Sequence, residues 1–317
     1  MVEPRRSFLK WAGSKYNALA DLERAFAPYS GLPGGQRPSR LVEPFAGSAT
    51  VSLNFLFDEH LLADGNPDIV NLYRRLCRAG HGFIGDCEAE FRGDGANTAD
   101  GFYARRAEFN ALRETIRPIL DGDEEAEARS ATDLTRRAVL FVYLNRHCFN
   151  GLCRYNSKGE FNVPFGKYRA PLFPRAAMID FVGFAATRRV TFVCADFRAI
   201  LNPDPLLGKV WLRPGDLVYA DPPYAPLEDA ATFTSYIEGG FGPAEQEALA
   251  GAARLWSSCG VPVLISNHDT RATRSWYAGA RIHSFDVART ISSDGTGRKP
   301  VRELIADFQP SLRSNAA

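Results

Sequence analysis

Short apolar runs closed by an acid recur along this chain and alternate with segments of helical spacing. Leu41-Val42-Glu43 leads into Pro44-Phe45-Ala46-Gly47 and then a helix-like run through Leu56. Leu61-Leu62-Ala63 ends at Asp64, with a helical pattern over Ile69 to Cys77. Val190 to Cys194 ends at Ala195-Asp196-Phe197, and Leu217-Val218-Tyr219-Ala220 ends at Asp221. Runs of this kind read as buried strands. Gly242-Pro243-Ala244-Glu245 opens a long helix, with proline early and acid in the first turn. Gly260 stops that helix, and Val261 to Ile265 is the next strand. Ile282 to Val287 and Val301 to Phe308 supply the last strands. The alternation predicts an α/β fold, a mostly parallel sheet with helices on both faces.

The middle of the chain breaks the pattern. Residues 66 to 165 hold helical stretches without clear strands. Asp121-Gly122-Asp123-Glu124-Glu125 reads as an acidic solvated loop, and Leu134 to Leu144 is apolar at helical spacing. Asn145 to Pro174 is irregular and rich in Gly, Asn, aromatic and basic residues. The layout predicts a second domain inserted between two halves of the sheet.

Composition narrows this little. A chain of 317 residues with 45% hydrophobic and 24% charged residues is an ordinary globular protein of one large or two medium domains. Net charge is +1 and pI near 7.6, which leaves a local nucleic-acid patch open. The six Cys (77, 87, 148, 153, 194, 259) form no C-x-x-C pair, so free thiols in a reducing compartment are expected rather than disulfides or a metal. No apolar stretch approaches ~18 residues, and the basic N-terminus lacks a following apolar region. A cytoplasmic protein without a membrane span is therefore expected.

The chemistry concentrates at the expected strand ends. In Asp221-Pro222-Pro223-Tyr224 each proline brings a carbonyl and no N–H, so the turn is rich in acceptors. That suits a substrate donating two hydrogens, such as an exocyclic amine; the plainer alternative is a Pro-rich turn capping a strand. Glu43 to Ala49 runs from a strand through small residues, Gly47 among them, into a helix. This lets backbone approach a ligand, or is simply a tight turn. Asp64 is placed to accept from a ribose. Asp196 beside Phe197 is suited to an adenine edge and face. Each of these acids is alternatively a helix N-cap. Together, Glu43, Asp64, Asp196 and Asp221 make an acidic edge suited to a ligand carrying a sulfonium and an α-amine. In Phe8 to Lys15, Lys15 is suited to a carboxylate and Trp11 to covering a ring; the alternative is an amphipathic helix start with solvated lysines. From Arg146 to Arg175 six Arg/Lys face one acid, Glu160, with Phe149, Tyr155, Phe161, Phe165, Tyr168 and Phe173 interleaved. Basic charge among rings is a nucleic-acid footprint, with Arg154 suited to reading guanine, or else a hairpin with a solvated basic face. Arg289 to Arg302 reads as a second, phosphate-contacting loop.

In their order these motifs resemble the DNA adenine-N6 methyltransferases of the Dam type, the alpha group of the D12 class. The resemblance runs from Phe8 to about Phe308. It rests on Phe8-Leu9-Lys10-Trp11-Ala12-Gly13-Ser14-Lys15, on Leu41 to Gly47 and on Asp221 to Tyr224. It rests most specifically on Tyr143-Leu144-Asn145-Arg146, Phe149 to Asn156 and Gly159 to Gly166, with Leu264 to Thr270 and Ile291 to Ser293 in support. It implies a Rossmann-like methyltransferase sheet with an inserted, mostly helical DNA-recognition domain. The catalytic domain would span 1–65 and 166–317, the recognition domain with its basic hairpin 66–165. It implies S-adenosylmethionine as methyl donor, no metal, and double-stranded DNA as substrate with a GATC-like site. The protein would be a monomer, able to sit two to a palindromic site. By the same resemblance Trp11, Lys15, Phe45, Gly47, Asp64, Asp196, Phe197 and Asp221 would hold the cofactor. Asp221, Pro222 and Tyr224 would be catalytic. Lys10, Phe149, Asn150, Leu152, Arg154, Pro164 and Tyr168 would contact DNA. Two departures stand out. Ser14 replaces a frequent second glycine, tolerable where φ is negative, and Phe149 replaces a frequent tyrosine. The segment from Gly85 to Gly101 is also longer than expected. Open alternatives are an enzyme acting on RNA or on protein glutamine, and a silent DNA-binding regulator. A solitary methylase and the partner of a restriction endonuclease are equally compatible.

Overall fold

The computed structural model describes residues 3–30, 37–227, 240–287 and 301–310. The expected loop of Arg289 to Arg302 and the Ile291 to Ser293 match lie, apart from the last residues of the loop, outside the described residues. Strands form where the apolar runs predict them: β1 (Arg40–Glu43), β2 (Glu59–Asp64), β3 (Arg189–Cys194), β4 (Asp216–Ala220), β5 (Val263–His268), β6 (Arg281–Val287) and β7 (Val301–Phe308). They belong to one seven-stranded sheet of order β3-β2-β1-β4-β5-β7-β6. β4 pairs parallel with β1 and with β5, so Glu43 and Asp221 finish at the same edge. β7 pairs antiparallel with β5 and with β6. The centre is thus parallel as expected, and the β6–β7 end is not. Parallel neighbours need a crossover, whereas consecutive strands without an intervening helical pattern can only return antiparallel.

The chain forms two compact units. One comprises Met1–Tyr16, Gly47–Leu56 and Leu62–Ala195; the other comprises Asn17–Ala46, Phe57–Leu61 and Asp196–Ala317. The first unit is mostly helical. Helix Ala131–His147 lies at its centre, against helices Pro67–Ala79, His81–Arg92 and Ala99–Ala111. It is buried nearly all round (Leu134 and Ala138 to Asn145), as a helix packed on several sides must be. Helix Pro67–Ala79 starts sharply because Asn66 accepts the N–H of Asp68 and proline stands at the first helical position. Asp68 then forms a bidentate pair with Arg137 at 2.6 and 2.8 Å, both side chains about 3% exposed.

Residues 121–125 are solvated but are not a loop. Asp121 ends helix Arg117–Asp121, Gly122 reverses the chain at φ 68°, and Asp123 caps helix Glu124–Arg129. Asp123, Glu124 and Glu125 sit where a helix N-terminus favours negative charge. Buried Glu127, one turn on, pairs with Arg74 and Arg75. The longer segment around Gly85 to Gly101 forms most of helix His81–Arg92, a bend, and the start of helix Ala99–Ala111.

In the second unit, β4 and β5 carry the core. Arg40 closes one end by a bidentate pair with buried Asp216 at 2.9 and 2.6 Å. Helix Pro243–Ser258 packs on β5 and β7, its start fixed by Pro243 and by Glu245, which accepts the Gly242 N–H at 2.7 Å. All six cysteines are free, as expected. No described helix is long and apolar enough to cross a membrane.

Candidate functional site

In the first unit Trp11, Gly47 and Asp64 come together. Gly47 has φ +46°, and a Cβ there would lie 2.7 Å from the Trp11 Nε1, so only glycine fits both backbone and space. Its N–H donates to Asp64 Oδ2 at 2.8 Å, and its carbonyl accepts from the Tyr73 hydroxyl at 2.6 Å. Asp64 ends β2 and also accepts the Asn66 N–H at 2.8 Å. Burial pushes the Asp64 carboxyl up, and those two N–H groups partly hold it down. The same turn holds Ala49 left-handed at φ 53° and fully buried, a strained position for a residue with a Cβ. Lys15 is buried and donates to the Gly13 carbonyl at 2.7 Å. Gly13 takes φ 81°, whereas Ser14 does not enter the left-handed region, which answers the tolerance asked of that substitution. The lysines are not the solvated face of a helix start. Residues 8–14 form turns, Lys15 is buried, and Lys10 is half-buried over the Tyr168 ring, its Nζ 3.9 Å from the centroid. Burial, then the nearby Arg146, lowers the Lys10 ammonium pKa.

The expected DNA-contacting segment leaves helix Ala131–His147 and turns back on itself. It has no strand ladder. Two isolated antiparallel bridges, Cys148 with Phe165 and Tyr155 with Phe161, hold its arms. The first arm carries more residues between the bridges than the second. The 3-10 turn Phe149–Gly151 absorbs the excess, with Asn150 at φ 54° and Gly151 at φ 66°. A Cβ on Gly151 would meet Lys10 Cβ at 2.3 Å. Asn145 pins Lys10 further, accepting its N–H at 2.9 Å and donating to its carbonyl at 2.7 Å. The Asn150 N–H donates to the Tyr168 hydroxyl at 2.9 Å. Lys10, Asn150 and Tyr168 are therefore one cluster. Asn97, in the longer segment, donates to the carbonyls of Tyr168 and Arg169 at 3.0 and 3.1 Å.

Arg154 is exposed and its Nε donates to Asn162 Oδ1 at 2.9 Å. Pro164 is exposed and Leu152 half-buried on the same segment. Phe149 is the exposed ring, at 50%. The other interleaved aromatics are packing groups: Phe161 meets Phe109, Phe165 meets Phe102, and Phe173 meets Phe91. The basic residues divide in the same way. Arg146 is half-buried and donates to the Leu172 carbonyl, while Arg154, Lys158, Lys167, Arg169 and Arg175 are exposed, Arg175 pairing with Glu88. Counting charge and rings along the sequence overstates this surface, because several of the rings pack inward.

In the second unit Asp221 follows β4 directly. Tyr224 sits edge-to-face on His268 with centroids 4.9 Å apart, and its hydroxyl donates to Glu303 Oε2 at 3.0 Å. Burial pushes this phenol well above its ordinary value, so it stays protonated. Gln246 donates to the Pro223 carbonyl at 2.9 Å, and Asn267 Oδ1 accepts the Ala225 N–H at 2.9 Å. The His268 ring meets the Ala225 carbonyl at 2.6 Å. Phe197 is buried and packs on Phe45 and Phe241 at 5.4 Å from each. Asp196 is exposed and caps helix Phe197–Ile200, accepting the Arg198 N–H at 2.8 Å.

Motif reading alone passed over Gln246, Tyr277 and Glu303, and quoted Asn267 without a role. One signal was present: Gln246 shares a helical stripe with buried Leu249, Ala250 and Ala253, where an amide must find buried partners.

A family model described as D12 class N6 adenine-specific DNA methyltransferase matches residues 11–291. The DNA adenine methylase of Serratia marcescens is 41% identical over 309 residues, 97% of this chain and 100% of that one. That of Haemophilus influenzae is 39% identical over 96% of this chain and 93% of its own length. That of Escherichia coli K12 is 39% identical over 99% of both. With the model spanning most of the chain and full-length relatives at this identity, the chain belongs to the D12 class N6 adenine-specific DNA methyltransferases.

Proposed function

We propose that this protein moves a methyl group from S-adenosylmethionine to N6 of an adenine flipped out of double-stranded DNA, within a GATC-like palindrome. The observation that carries the reading is the Asp221 to Tyr224 turn, where a carboxylate and two prolines follow β4 and the Tyr224 ring is tied by its hydroxyl to Glu303. A base must leave the stack to be reached. Tyr224 would lie on its face. Asp221 and the Pro222 carbonyl would accept the two N6 hydrogens, turning the nitrogen lone pair out of conjugation and holding charge as it develops.

The donor set suits the cofactor. Within the first unit, buried Lys15 offers an ammonium for its carboxylate, Trp11 a ring, Gly47 a close backbone and Asp64 a carboxylate for ribose hydroxyls. Phe45, Asp196, Phe197 and Asp221 are the remaining cofactor residues that the resemblance implies. The cofactor supplies the electrophilic methyl group; alignment and acceptors come from the chain.

Residues 66–165 would be the recognition domain and 1–65 with 166–317 the catalytic one. Arg154 would read a guanine, Lys10 would act near the other, and Leu152 and Pro164 would touch thymine methyls. Phe149 and Asn150 would fill the space left by flipping, with Tyr168 bracing Asn150 and Lys10. The protein would act in the cytoplasm as a monomer.

The test is tritiated methyl transfer to unmethylated duplex with and without GATC, for wild type and Asp221→Ala. Incorporation that needs both GATC and Asp221 supports the reading. Transfer into GATC-free DNA overturns the site assignment, and transfer by Asp221→Ala at near-normal rate overturns the mechanism.

A further inference from the structure

Three buried polar side chains outside the resemblance's catalytic set form a bonded ring that reaches the chain at Pro223 and Ala225. Gln246 is 2% exposed, while Asn267 and Tyr277 are fully buried. Gln246 Nε2 donates to the Pro223 carbonyl at 2.9 Å. Its Oε1 accepts from the Tyr277 hydroxyl at 2.8 Å and from Asn267 Nδ2 at 3.1 Å. Asn267 Nδ2 also donates to the Tyr277 hydroxyl at 2.9 Å. Asn267 Oδ1 accepts two backbone N–H groups, those of Ala225 and His268, at 2.9 Å each.

Every polar atom here has a partner of the right sense, and that fixes both amides. A flipped Gln246 would set its oxygen against the Pro223 carbonyl oxygen, and a flipped Asn267 would set N–H against N–H. The ring of three side chains therefore has one arrangement. It grips one acceptor just before Tyr224 and one donor just after it. The Pro223 carbonyl is committed to Gln246, which separates it in role from the Pro222 carbonyl. A satisfied buried network of this kind is rigid, and rigidity is what alignment chemistry needs from a supporting shell.

We infer that Gln246, Asn267 and Tyr277 form a clamp that positions the methyl-acceptor turn, so that they set the rate of transfer without touching the base. The inference rests on the proposed function. Its consequence is a split between binding and turnover, because the clamp holds the backbone around Tyr224 while the expected DNA readers lie on other segments.

The experiment uses the full chain and a duplex carrying one unmethylated GATC. Single-turnover transfer is measured beside the affinities for S-adenosylmethionine and duplex. Gln246→Leu is expected to slow transfer by about 10²-fold, the scale of a misplacement near 1 Å, with both affinities within threefold of wild type. Gln246→Glu is the diagnostic partner. A protonated carboxyl can donate to the Pro223 carbonyl and accept from Tyr277 and Asn267, whereas a carboxylate cannot donate. Its transfer rate should therefore approach wild type at low pH and fall as pH rises, with no matching change in its circular dichroism. If Gln246→Leu fails to fold, Gln246→Glu still decides. A rate within twofold of wild type and no new pH dependence overturns the clamp. A wild type that transfers no methyl group overturns the function beneath it, a result distinct from any difference between variants.

Discussion

Replacing Asp68 by alanine tests the buried ion pair on which the helical unit is built. Asp68 takes two N–H bonds from Arg137, at 2.6 and 2.8 Å, and the Tyr155 hydroxyl at 2.7 Å. Both members of the pair are about 3% exposed. The guanidinium also donates to the Phe109 carbonyl at 2.7 Å and lies 3.9 Å from that ring's centroid, so its partners are protein groups in the interior. Truncation leaves a buried cation without its counter-charge, which costs about 3–5 kcal/mol. The orphaned Tyr155 hydroxyl adds about 1–3 kcal/mol when taken alone, though costs within one network do not simply add. A loss near 4 kcal/mol is a large part of a typical domain's stability and corresponds to a fall of about 8–16 °C in Tm. Calorimetry and urea unfolding read it. The double change Asp68→Leu with Arg137→Met should cost less than Asp68→Ala, because it removes the stranded charge along with the bond. A loss under about 1 kcal/mol in Asp68→Ala, or a double variant worse than the single, would refute the reasoning. Tyr155 adjoins Arg154, so the surviving fold should also methylate with relaxed site preference.

Two further perturbations follow from geometry. Gly47→Ala combines a left-handed φ, costing about 1–2 kcal/mol, with a Cβ 2.7 Å from the Trp11 ring nitrogen. It should weaken S-adenosylmethionine binding by about tenfold or more, read by calorimetry, and unchanged affinity would remove Gly47 and Trp11 from the cofactor site. His147 is buried against Tyr143 and Phe91, and burial lowers its imidazole from 6.5 to about 4. The unfolded chain takes up the proton first as pH falls, so this contribution to stability is full above pH 6.5 and is lost on the way down to about 4. His147→Phe should flatten the stability profile across that window, and an unchanged slope in urea unfolding at stepped pH would argue against a buried neutral imidazole.

Most strands were legible because each is an apolar run ended by a residue that cannot continue it. β6 and β7 appeared almost to the residue, while β2 began two residues earlier than Leu61 suggested. What the pattern could not supply was direction. Nothing within Val301 to Phe308 says that it returns antiparallel between β5 and β6. The acidic stretch at 121–125 reads as a loop for a related reason. Asp-Gly-Asp has the composition of a loop, and only the chain's path makes Gly122 a helix stop and Asp123 a cap.

The candidate site divides along the same line. Residues that would touch ligand were legible because their chemistry is unusual where it stands: a carboxylate before two prolines, a glycine between a strand and a helix. Residues that hold them were not, since a glutamine in a helix or an asparagine ending a strand is ordinary in sequence. Burial makes them informative. Three non-glycine residues among those described adopt a left-handed backbone: Ala49, Asn150 and Lys167. Ala49 lies in the turn after β1, the other two on the segment that carries Arg154. Such positions persist only where their surroundings over-determine them. Here the bracing is visible, with Tyr168 on the Asn150 N–H and Asn97 on the Tyr168 carbonyl. The strain therefore marks places where neighbouring side chains and backbone hold the chain's shape, independently of any motif.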